Sequence, residues 1–304
     1  MRTAIITGGN GFIGSSLACK LLDQGVEVHA IVNQNHQRLD QFLPRANIHV
    51  IQRDIGSAVE VVTRAAPDAI FHLAAVYAEP VSPASVLSMI EGNLTLGACL
   101  LYAATQCPLR PVFINTGTYW QFDAASVYSP NTLYAATKQA FQDLLVFYRN
   151  RMGVRSVSLI VYDTFGEHDT RAKLWRRLAT APKGELIPLS SGEQTIHLVH
   201  IDDIVDAFLH AASLLNQAAP LEPIYSLSAQ QPVRLRPLVE AFNEQADLGL
   251  ELGWGTMPYW EGQVLEPWTG ERLPGWIPQV QVLPALVRMA AQLKTTALTG
   301  QAHL

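Results

Sequence analysis

The feature that most limits how this chain can fold stands within its first fourteen residues. A β-branched run, Thr3-Ala4-Ile5-Ile6-Thr7, passes directly into Gly8-Gly9-Asn10-Gly11-Phe12-Ile13-Gly14, with Gly8, Gly11 and Gly14 each three residues apart. Glycine permits a tight turn and lets the backbone approach a pyrophosphate, while the helix that follows aims its N-terminus at the anion. A glycine spacing alone is weak evidence; the strand-to-helix setting gives it weight. The segment therefore predicts a dinucleotide-binding turn, with Gly8, Gly11, Phe12 and Ile13 at the cofactor.

The same alternation continues through the first half. Short β-branched runs fall at Thr3 to Thr7, Glu27 to Asn33, His49 to Gln52, Ala69 to His72, Val112 to Asn115 and Ser156 to Val161. Between them, longer amphipathic runs predict helices over Phe12 to Gln24, Ser57 to Ala66, Pro83 to Gln106 and Asn131 to Met152. Repeated strand-helix units close a parallel sheet with helices on both faces. The predicted fold is α/β, a Rossmann doubly wound parallel sheet, followed by a smaller C-terminal α+β subdomain that binds substrate. Residues 1–166 form the NAD(P)-binding domain and 167–304 the substrate-binding part, some of which returns to the Rossmann core. In that second part helices are expected around Arg171 to Ala179 and Ile201 to Leu215, with a short strand near Glu185 to Leu189. Pro and Trp become dense from Gly253 to Pro278.

Composition narrows the function. Of 304 residues, 49% are hydrophobic and 15% charged, enough apolar material for a large core, and the net charge of -5 comes without a long basic run. Nucleic acid is therefore not an expected partner. The three cysteines, Cys19, Cys99 and Cys107, lack metal-ligand spacing and read as core filler. No signal peptide precedes the first strand, and no stretch approaches the roughly 20 apolar residues that span a bilayer. A cytoplasmic protein without membrane partners is expected, meeting small molecules and copies of itself.

Two more patterns carry chemistry. Tyr134-Ala135-Ala136-Thr137-Lys138 places a phenol and an ammonium four residues apart, on one face of a helix. The cation favours the phenolate, so the tyrosine is expected to have a lowered pKa and to exchange a proton with a carbonyl or alcohol. The fifth strand ends at Asn115-Thr116-Gly117-Thr118, offering a hydroxyl at the carboxyl edge of the sheet. After the second strand, Ile31-Val32-Asn33-Gln34-Asn35-His36-Gln37-Arg38 contains no carboxylate to take the ribose hydroxyls, as NAD-preferring proteins usually have. With Arg38 nearby, this favours NADP(H) over NAD(H) at Asn33 and Arg38, although Arg38 also reads as a solvated surface charge. Asp54 and Ile55 stand where they meet the adenine edge or cap the next helix.

These residues together make the chain resemble an extended short-chain dehydrogenase/reductase of the NAD-dependent epimerase/dehydratase family, over nearly its whole length. The glycine turn, Phe71-His72-Leu73-Ala74-Ala75, Asn93, Thr116 and the Tyr134 and Lys138 pair each fall on a family position. The resemblance implies that Leu73, Ala74, Ala75 and Asn93 lie beside the cofactor, with His72 packed under it. It makes Thr116, Tyr134 and Lys138 catalytic, the last two also touching the cofactor. Asn115-Thr116-Gly117-Thr118-Tyr119-Trp120, Tyr162-Asp163-Thr164-Phe165-Gly166 and Gly192-Glu193-Gln194, followed by His200-Ile201-Asp202-Asp203, are most similar to the nucleotide-sugar 4-ketoreductases typified by the CDP-abequose and CDP-paratose synthases.

That resemblance implies an NADPH-dependent reductase of a nucleotide-linked 4-keto-6-deoxy sugar, in which hydride passes to C4 while Tyr134 protonates the oxygen. The substrate would meet Tyr77, Thr118, Tyr119, Asp163, Arg171 and Lys173, with Asp163 standing where relatives carry asparagine. The 4,6-dehydratases follow their threonine with an Asp-Glu pair, whereas this chain has Gly117-Thr118, so elimination is not expected. No arginine precedes the His-x-x-Asp segment; Ile196 and His197 stand there, and His197 and His200 are read as structural, with no metal. The alternatives are a 4-epimerase holding NAD tightly and, from another class, a non-catalytic NADP-binding sensor. A homodimer is expected through the helices at Pro83 to Gln106 and Asn131 to Met152. Their apolar positions Leu94, Leu96, Leu100, Leu101 and Tyr102, and Phe141, Leu144, Leu145, Phe147 and Tyr148, outnumber what one sheet-facing stripe needs.

Overall fold

The computed structural model describes residues 1–32, 45–51, 55–79 and 82–299. Seven parallel strands form the main sheet: β1 (Thr3–Thr7), β2 (Glu27–Val32), β3 (Asn47–Val50), β4 (Ala69–His72), β5 (Val112–Thr118), β6 (Ser156–Val161) and β11 (Ile224–Ser226). Their order across the sheet is β11-β6-β5-β4-β1-β2-β3. The order reverses between β1 and β4, which opens a crevice above their carboxyl ends. The sheet is the Rossmann arrangement that the alternation predicts.

Helices α1 (Phe12–Asp23), α2 (Ile55–Ala65), α3 (Pro83–Gln106) and α4 (Leu133–Met152) cross over between the strands. Of these, α2, α3 and α4 share one core with Ile5, Ile70 and Phe113, and the opposite core joins α1 to a helix from late in the chain, α6 (Ile201–Asn216). Strand β5 runs through Thr118 rather than stopping at Asn115, because β6 keeps pairing with it as far as Thr118 and Val161. Thr116 therefore lies inside a strand. The edge strand β11 has only three residues, Ile224-Tyr225-Ser226, too few to show a period in the sequence.

A second core lies beyond the sheet. It gathers Phe165, Trp175, Leu178, Ile187, Val239 and Phe242 among others. Short strand pairs frame it: β7 (Asp163–Phe165) with β10 (Leu198–His200), β8 (Leu186–Pro188) with β13 (Glu251–Gly253), and β9 (Thr195–Ile196) with β12 (Val233–Arg234). Helices α5 (Leu174–Thr180), α7 (Leu235–Gln245) and α8 (Val282–Thr299) complete it; α7 and α8 lie where the sequence pattern predicts no helix. Between building β10 and α7 the chain returns to the sheet with α6 and β11. Asp203, buried in α6, ties the approach to α8: its carboxylate accepts from the N–H groups of Gln279 (2.8 Å) and Val280 (3.0 Å), and its carbonyl from the Trp276 indole (3.0 Å).

Helix α3 is long and apolar enough to cross a bilayer by length and composition, more so than the sequence reading allowed. Packing explains part of that apolarity, since Leu100, Leu101, Ala103 and Ala104 are buried in the sheet-facing core. The remainder is uncovered surface: Leu87, Ile90 and Tyr102 on α3 and Leu144, Val146 and Phe147 on α4 are exposed. The apolar surplus is thus real: of the positions named from the sequence, Tyr102, Leu144 and Phe147 are exposed, while Leu100, Leu101, Phe141 and Leu145 belong to the core.

Replacing Asp203 with alanine leaves the Gln279 and Val280 N–H groups without their charged acceptor, a loss of about 2–4 kcal/mol. Urea denaturation followed by circular dichroism is expected to show that drop; a midpoint within error of wild type would mean that Asp203 does not anchor the C-terminal segment.

Candidate functional site

A cleft of about 740 Å³ opens at the crevice between β1 and β4. Gly8, Gly11, Leu73, Ala74 and Ala75 line it, together with Ile31 and Val32 at the end of β2. Gly8 has φ +69°, and a Cβ there would stand 2.8 Å from the Ala74 nitrogen, so only glycine lets the turn press against the loop after β4. Gly11 directly precedes α1, whose first N–H groups face away from the helix body as anion donors. Phe12 and Ile13 occupy the first turn of α1 and pack against the sheet core. Asn33, Arg38 and Asp54 lie outside the described residues, and of Ile55 only the backbone is described.

The floor of the cleft is fixed by one hydroxyl. Thr7 Oγ1 accepts from the N–H groups of Leu73 (3.1 Å) and Ala74 (3.0 Å) and lies 2.9 Å from His72 Nδ1. With its lone pairs taken, the hydroxyl donates to Nδ1, so His72 is a neutral imidazole. Burial and the nearby Lys138 charge agree, holding the His72 pKa down to about 3.

Asn93 sits in a wide π-type turn of α3, Glu91–Thr95, and is buried. Such turns are common at functional sites. Its carboxamide oxygen accepts from Val76 N–H (2.7 Å), while its Nδ2 donates to the Val76 carbonyl (3.0 Å) and to Thr137 Oγ1 (2.8 Å). Thr137 in turn donates to the Tyr134 carbonyl (2.7 Å). Both protons of the Asn93 amide are thereby spent on holding the β4 loop against α4, rather than left free for a ligand.

Helix α4 starts at the Thr132 cap, whose hydroxyl accepts from Ala135 N–H (3.1 Å). Gln121 donates to Gln139 (2.9 Å), and Gln142 meets Ser158, which also accepts from Asn115 (2.8 Å). Three neighbouring elements thus fix the helix that carries Tyr134 and Lys138. Lys138 is 3% exposed and has no ion-pair partner among the described residues; burial alone lowers its pKa to about 8. The Tyr134 phenol is not lowered as the spacing predicted. Burial pushes it up to about 12, because removing water from the phenolate outweighs any field that reaches it. Thr116 Oγ1 is enclosed with no hydrogen-bond partner among the described residues. A buried cation and an enclosed hydroxyl, each without a partner among the described residues, are costly unless a ligand completes them. The glycine cradle, the helix N-terminus and these donors together fit a nicotinamide dinucleotide.

A second cleft, about 260 Å³, opens between the sheet and the second core. Of the residues the sequence reading named for substrate, Tyr119, Asp163, Arg171 and Lys173 line it and Tyr77 and Thr118 do not. Asp163 has its pKa raised by burial, an effect that Lys173 opposes, and Tyr119 OH reaches it at 3.5 Å. Arg171 is already engaged: its Nε and Nη2 grip Asp169 at 2.8 and 2.7 Å, and its guanidinium lies 4.5 Å from the Phe12 ring centroid. Thr118 caps the turn at Tyr119–Gln121, accepting from Trp120 N–H (3.4 Å). Tyr77 is exposed and stands edge-on to Tyr134, 5.7 Å between centroids. The sequence reading missed Trp120 and Trp260, whose rings also line this cleft; the density of Trp after Gly253 was the available signal. It missed Glu91 as well, which lines the first cleft. Among the described residues no group of three His, Cys, Asp or Glu side chains forms a metal site.

Residues 4–225 match the NAD dependent epimerase/dehydratase family, and the chain belongs to that family of extended short-chain dehydrogenase/reductase enzymes, which use a nicotinamide cofactor. It is 31% identical to the CDP-abequose synthase of Yersinia pseudotuberculosis over 268 residues, covering 86% of this chain and 90% of the relative. The CDP-abequose synthase of Salmonella typhimurium is 24% identical over 213 residues, 67% of this chain and 68% of that one. Among solved structures, UDP-glucose 4-epimerase of Thermotoga maritima with UDP-glucose superposes with a TM-score of 0.82 at 19% identity, covering 97% of this chain and all of that one. The dTDP-glucose 4,6-dehydratase DesIV of Streptomyces venezuelae, with NAD bound, gives 0.79 at 22% identity and 98% coverage of both chains. At these identities the structures share the fold.

The depressed Lys138 pKa makes stability depend on pH. An unfolded lysine keeps its proton up to about 10.5 while folded Lys138 releases it near 8, so between those values the unfolded state binds more protons and stability rises with pH. Lys138→Met removes this effect. The variant is expected to denature at higher urea than wild type at pH 7, with the gap closing by pH 10; a pH-independent gap would show that Lys138 is not desolvated.

Proposed function

We propose that the protein is an NADPH-dependent reductase of a nucleotide-linked 4-keto-6-deoxy sugar. The observation that carries this reading is that Thr116 Oγ1 is enclosed and Lys138 buried with no polar partner among the described residues, while Tyr134 stands edge-on to Trp120, which lines the second cleft. A dinucleotide is held by Gly8, Gly11 and the loop Leu73–Ala75, and when bound it supplies the hydride. Tyr134, protonated at neutral pH, donates its proton to the carbonyl oxygen as the alcohol forms, and Thr116 holds that oxygen by a hydrogen bond. Lys138 keeps a positive charge beside the developing phenolate. The second cleft takes the sugar nucleotide, with Lys173 as the phosphate contact, since the charge of Arg171 is shared with Asp169.

Two further observations support reduction over elimination. No carboxylate stands at Gly117 or Thr118, and a Cβ on Gly117 would lie 2.3 Å from Ile160 Cδ1, so a side chain there requires Ile160 to move. The similarity to a CDP-abequose synthase covers most of both chains. NADPH is preferred because the wall of the first cleft at the end of β2 is Ile31 and Val32, without a carboxylate to repel a 2′-phosphate. Glu91 in the same cleft favours a second reading, a 4-epimerase with tightly held NAD. Purified protein carrying stoichiometric NAD supports the epimerase. Consumption of added NADPH by a member of a CDP-, dTDP-, GDP- and UDP-linked 4-keto-6-deoxy sugar panel, faster than of NADH, supports the reductase. Tyr134→Phe is expected to bind cofactor normally and to lose two to four orders of magnitude in turnover, roughly the worth of a positioned proton donor. Wild-type turnover in that variant removes Tyr134 from the chemistry.

We also propose a homodimer through the uncovered faces of α3 and α4, where Tyr102 and Phe147 are 46% and 53% exposed. A two-fold contact buries the same patch on each subunit. Light scattering should give twice the chain mass of 33.4 kDa, and Tyr102→Glu with Phe147→Glu should halve it while leaving the circular dichroism unchanged. A monomer at micromolar concentration in the unaltered protein overturns the dimer.

A further inference from the structure

Between β7 and α5 the chain passes from the second cleft to the first turn of α1, and Arg171 stands at the crossing. The side chain lines the second cleft and is 37% exposed, as an anion contact would be. Its donors, however, are engaged inside the protein. Nε and Nη2 donate to the two carboxylate oxygens of Asp169 (2.8 and 2.7 Å), and Nη2 also reaches the Thr164 carbonyl and hydroxyl, both at 3.1 Å. Asp169 is itself held: its side chain is 5% exposed, its N–H donates to the Gly166 carbonyl (3.1 Å), and its carbonyl accepts from Arg176 (2.9 Å). A bidentate pair of this kind fixes the plane of the guanidinium. That plane lies over the Phe12 ring, 4.5 Å from its centroid. Gly166 approaches the same ring, since a Cβ there would stand 3.3 Å from Phe12 Cζ and 2.5 Å from Ile201 Cγ2.

We infer that Arg171 is a positioning residue for the phosphate-binding turn, acting through Phe12 rather than on the sugar nucleotide. The inference rests on the reading of the glycine turn as the dinucleotide site and needs neither the keto sugar nor the direction of hydride transfer. From Gly8 to Gly11 the turn carries only one side chain, that of Asn10, so it has little with which to brace itself. Phe12 is the first residue of α1, and whatever fixes its ring fixes the direction of the N–H groups beside it. A lone cation beside that first turn would oppose the helix dipole. Asp169 cancels the charge, which leaves the guanidinium to act on the ring by its face. The same stretch carries Asp163 and Lys173 of the second cleft, and the Lys173 N–H donates to the Arg171 carbonyl (2.8 Å). The segment that walls the second cleft therefore also braces the turn of the first, and loss of the Arg171 contact is felt at the dinucleotide.

The test measures dissociation constants by titration calorimetry for NADPH, NADH and the nucleoside diphosphates CDP, dTDP, GDP and UDP, with urea midpoints as a check on folding. The proteins are wild type, Arg171→Met, Phe12→Leu, Phe12→Tyr and the double variant of Arg171→Met with Phe12→Leu. Arg171→Met and Phe12→Leu should each weaken the dinucleotide by about 3- to 10-fold, while nucleoside diphosphate affinity stays within about twofold. The double variant should lose no more than one of them, because both remove the same contact. Phe12→Tyr keeps the ring face and should bind as wild type does. Unchanged dinucleotide affinity in Arg171→Met, with a nucleoside diphosphate weakened instead, overturns the inference and makes Arg171 a substrate contact. Losses that add in the double variant also overturn it, because Arg171 then acts by a route other than Phe12. Should Arg171→Met fail to fold, the Phe12 variants decide: tighter dinucleotide binding by tyrosine than by leucine upholds the inference, and equal binding overturns it. Wild type that binds neither dinucleotide sinks the dinucleotide reading and this inference with it, whereas normal binding by wild type and all variants overturns the inference alone.

Discussion

The Thr7 hydroxyl is the smallest interaction on which the most structure depends. It stands at the last position of β1, in register with His72 at the end of β4, at the point where the strand order reverses. A hydroxyl has two acceptor sites and one proton, and here Leu73, Ala74 and His72 take all three. A serine would keep these bonds but lose the methyl that fixes the rotamer; a valine would keep the shape and leave two N–H groups without an acceptor. Because the loop after β4 is pinned this way, Gly8 can approach it so closely that a Cβ would overlap Ala74. The cradle is thus a consequence of the hydrogen-bond count at Thr7 as much as of the glycines. His72, kept neutral by the same count, is compatible with the Lys138 charge nearby.

From that point the structure fixes α4 at increasing distance from the sheet. Asn93 joins the β4 loop to Thr137, Gln121 reaches Gln139, and the Ser158 hydroxyl joins Gln142 to Asn115 on β5. These bonds cross layers that hydrophobic packing alone would let slide, since apolar contacts are not directional. The outcome is a helix whose buried face carries a lysine without a counter-ion among the described residues. Proteins avoid such a group unless it works, because a buried charge without a partner is among the costliest arrangements a fold can contain. Tyr134 on the same helix stands edge-on to Trp120, a residue of the second cleft, which gives that cost a purpose.

Much of this was legible in the sequence, and the reasons for what was not are specific. The strands before Val161 showed because β-branched runs alternate with helical periods, and the glycine turn showed because its context is local. Which of the apolar positions of α3 and α4 pack on the sheet, Leu101 and Leu145 among them, was not legible, because periodicity tells that a helix has two apolar faces but not which face the sheet takes. Strand β11 was too short to carry a period. The grip of Arg171 on Asp169 was encoded two residues apart, yet nothing local distinguishes it from a solvated pair. Trp260 reaches Trp120 through Asn131 and Gly262, a contact made by three separate stretches of chain. Long-range contacts of that kind are set by tertiary folding and leave no local signature.

The tyrosine shows how a correct pairing in sequence can mislead about energetics. A phenol one helical turn from an ammonium was expected to have its pKa lowered, but both groups are desolvated, and each moves toward its neutral form: Tyr134 up to about 12, Lys138 down to about 8. Near neutral pH the pair holds a protonated phenol beside a charged lysine, which is the state that gives up a proton while keeping a cation to meet the new negative charge. Below about 8 that state persists, and above it the lysine discharges first, leaving the phenol protonated but without its electrostatic support. A raised pKa makes the enclosed tyrosine a weaker acid than an exposed phenol, so its loss of a proton depends on a positive charge to meet the phenolate, and the charge that burial removes first as pH rises is that of Lys138.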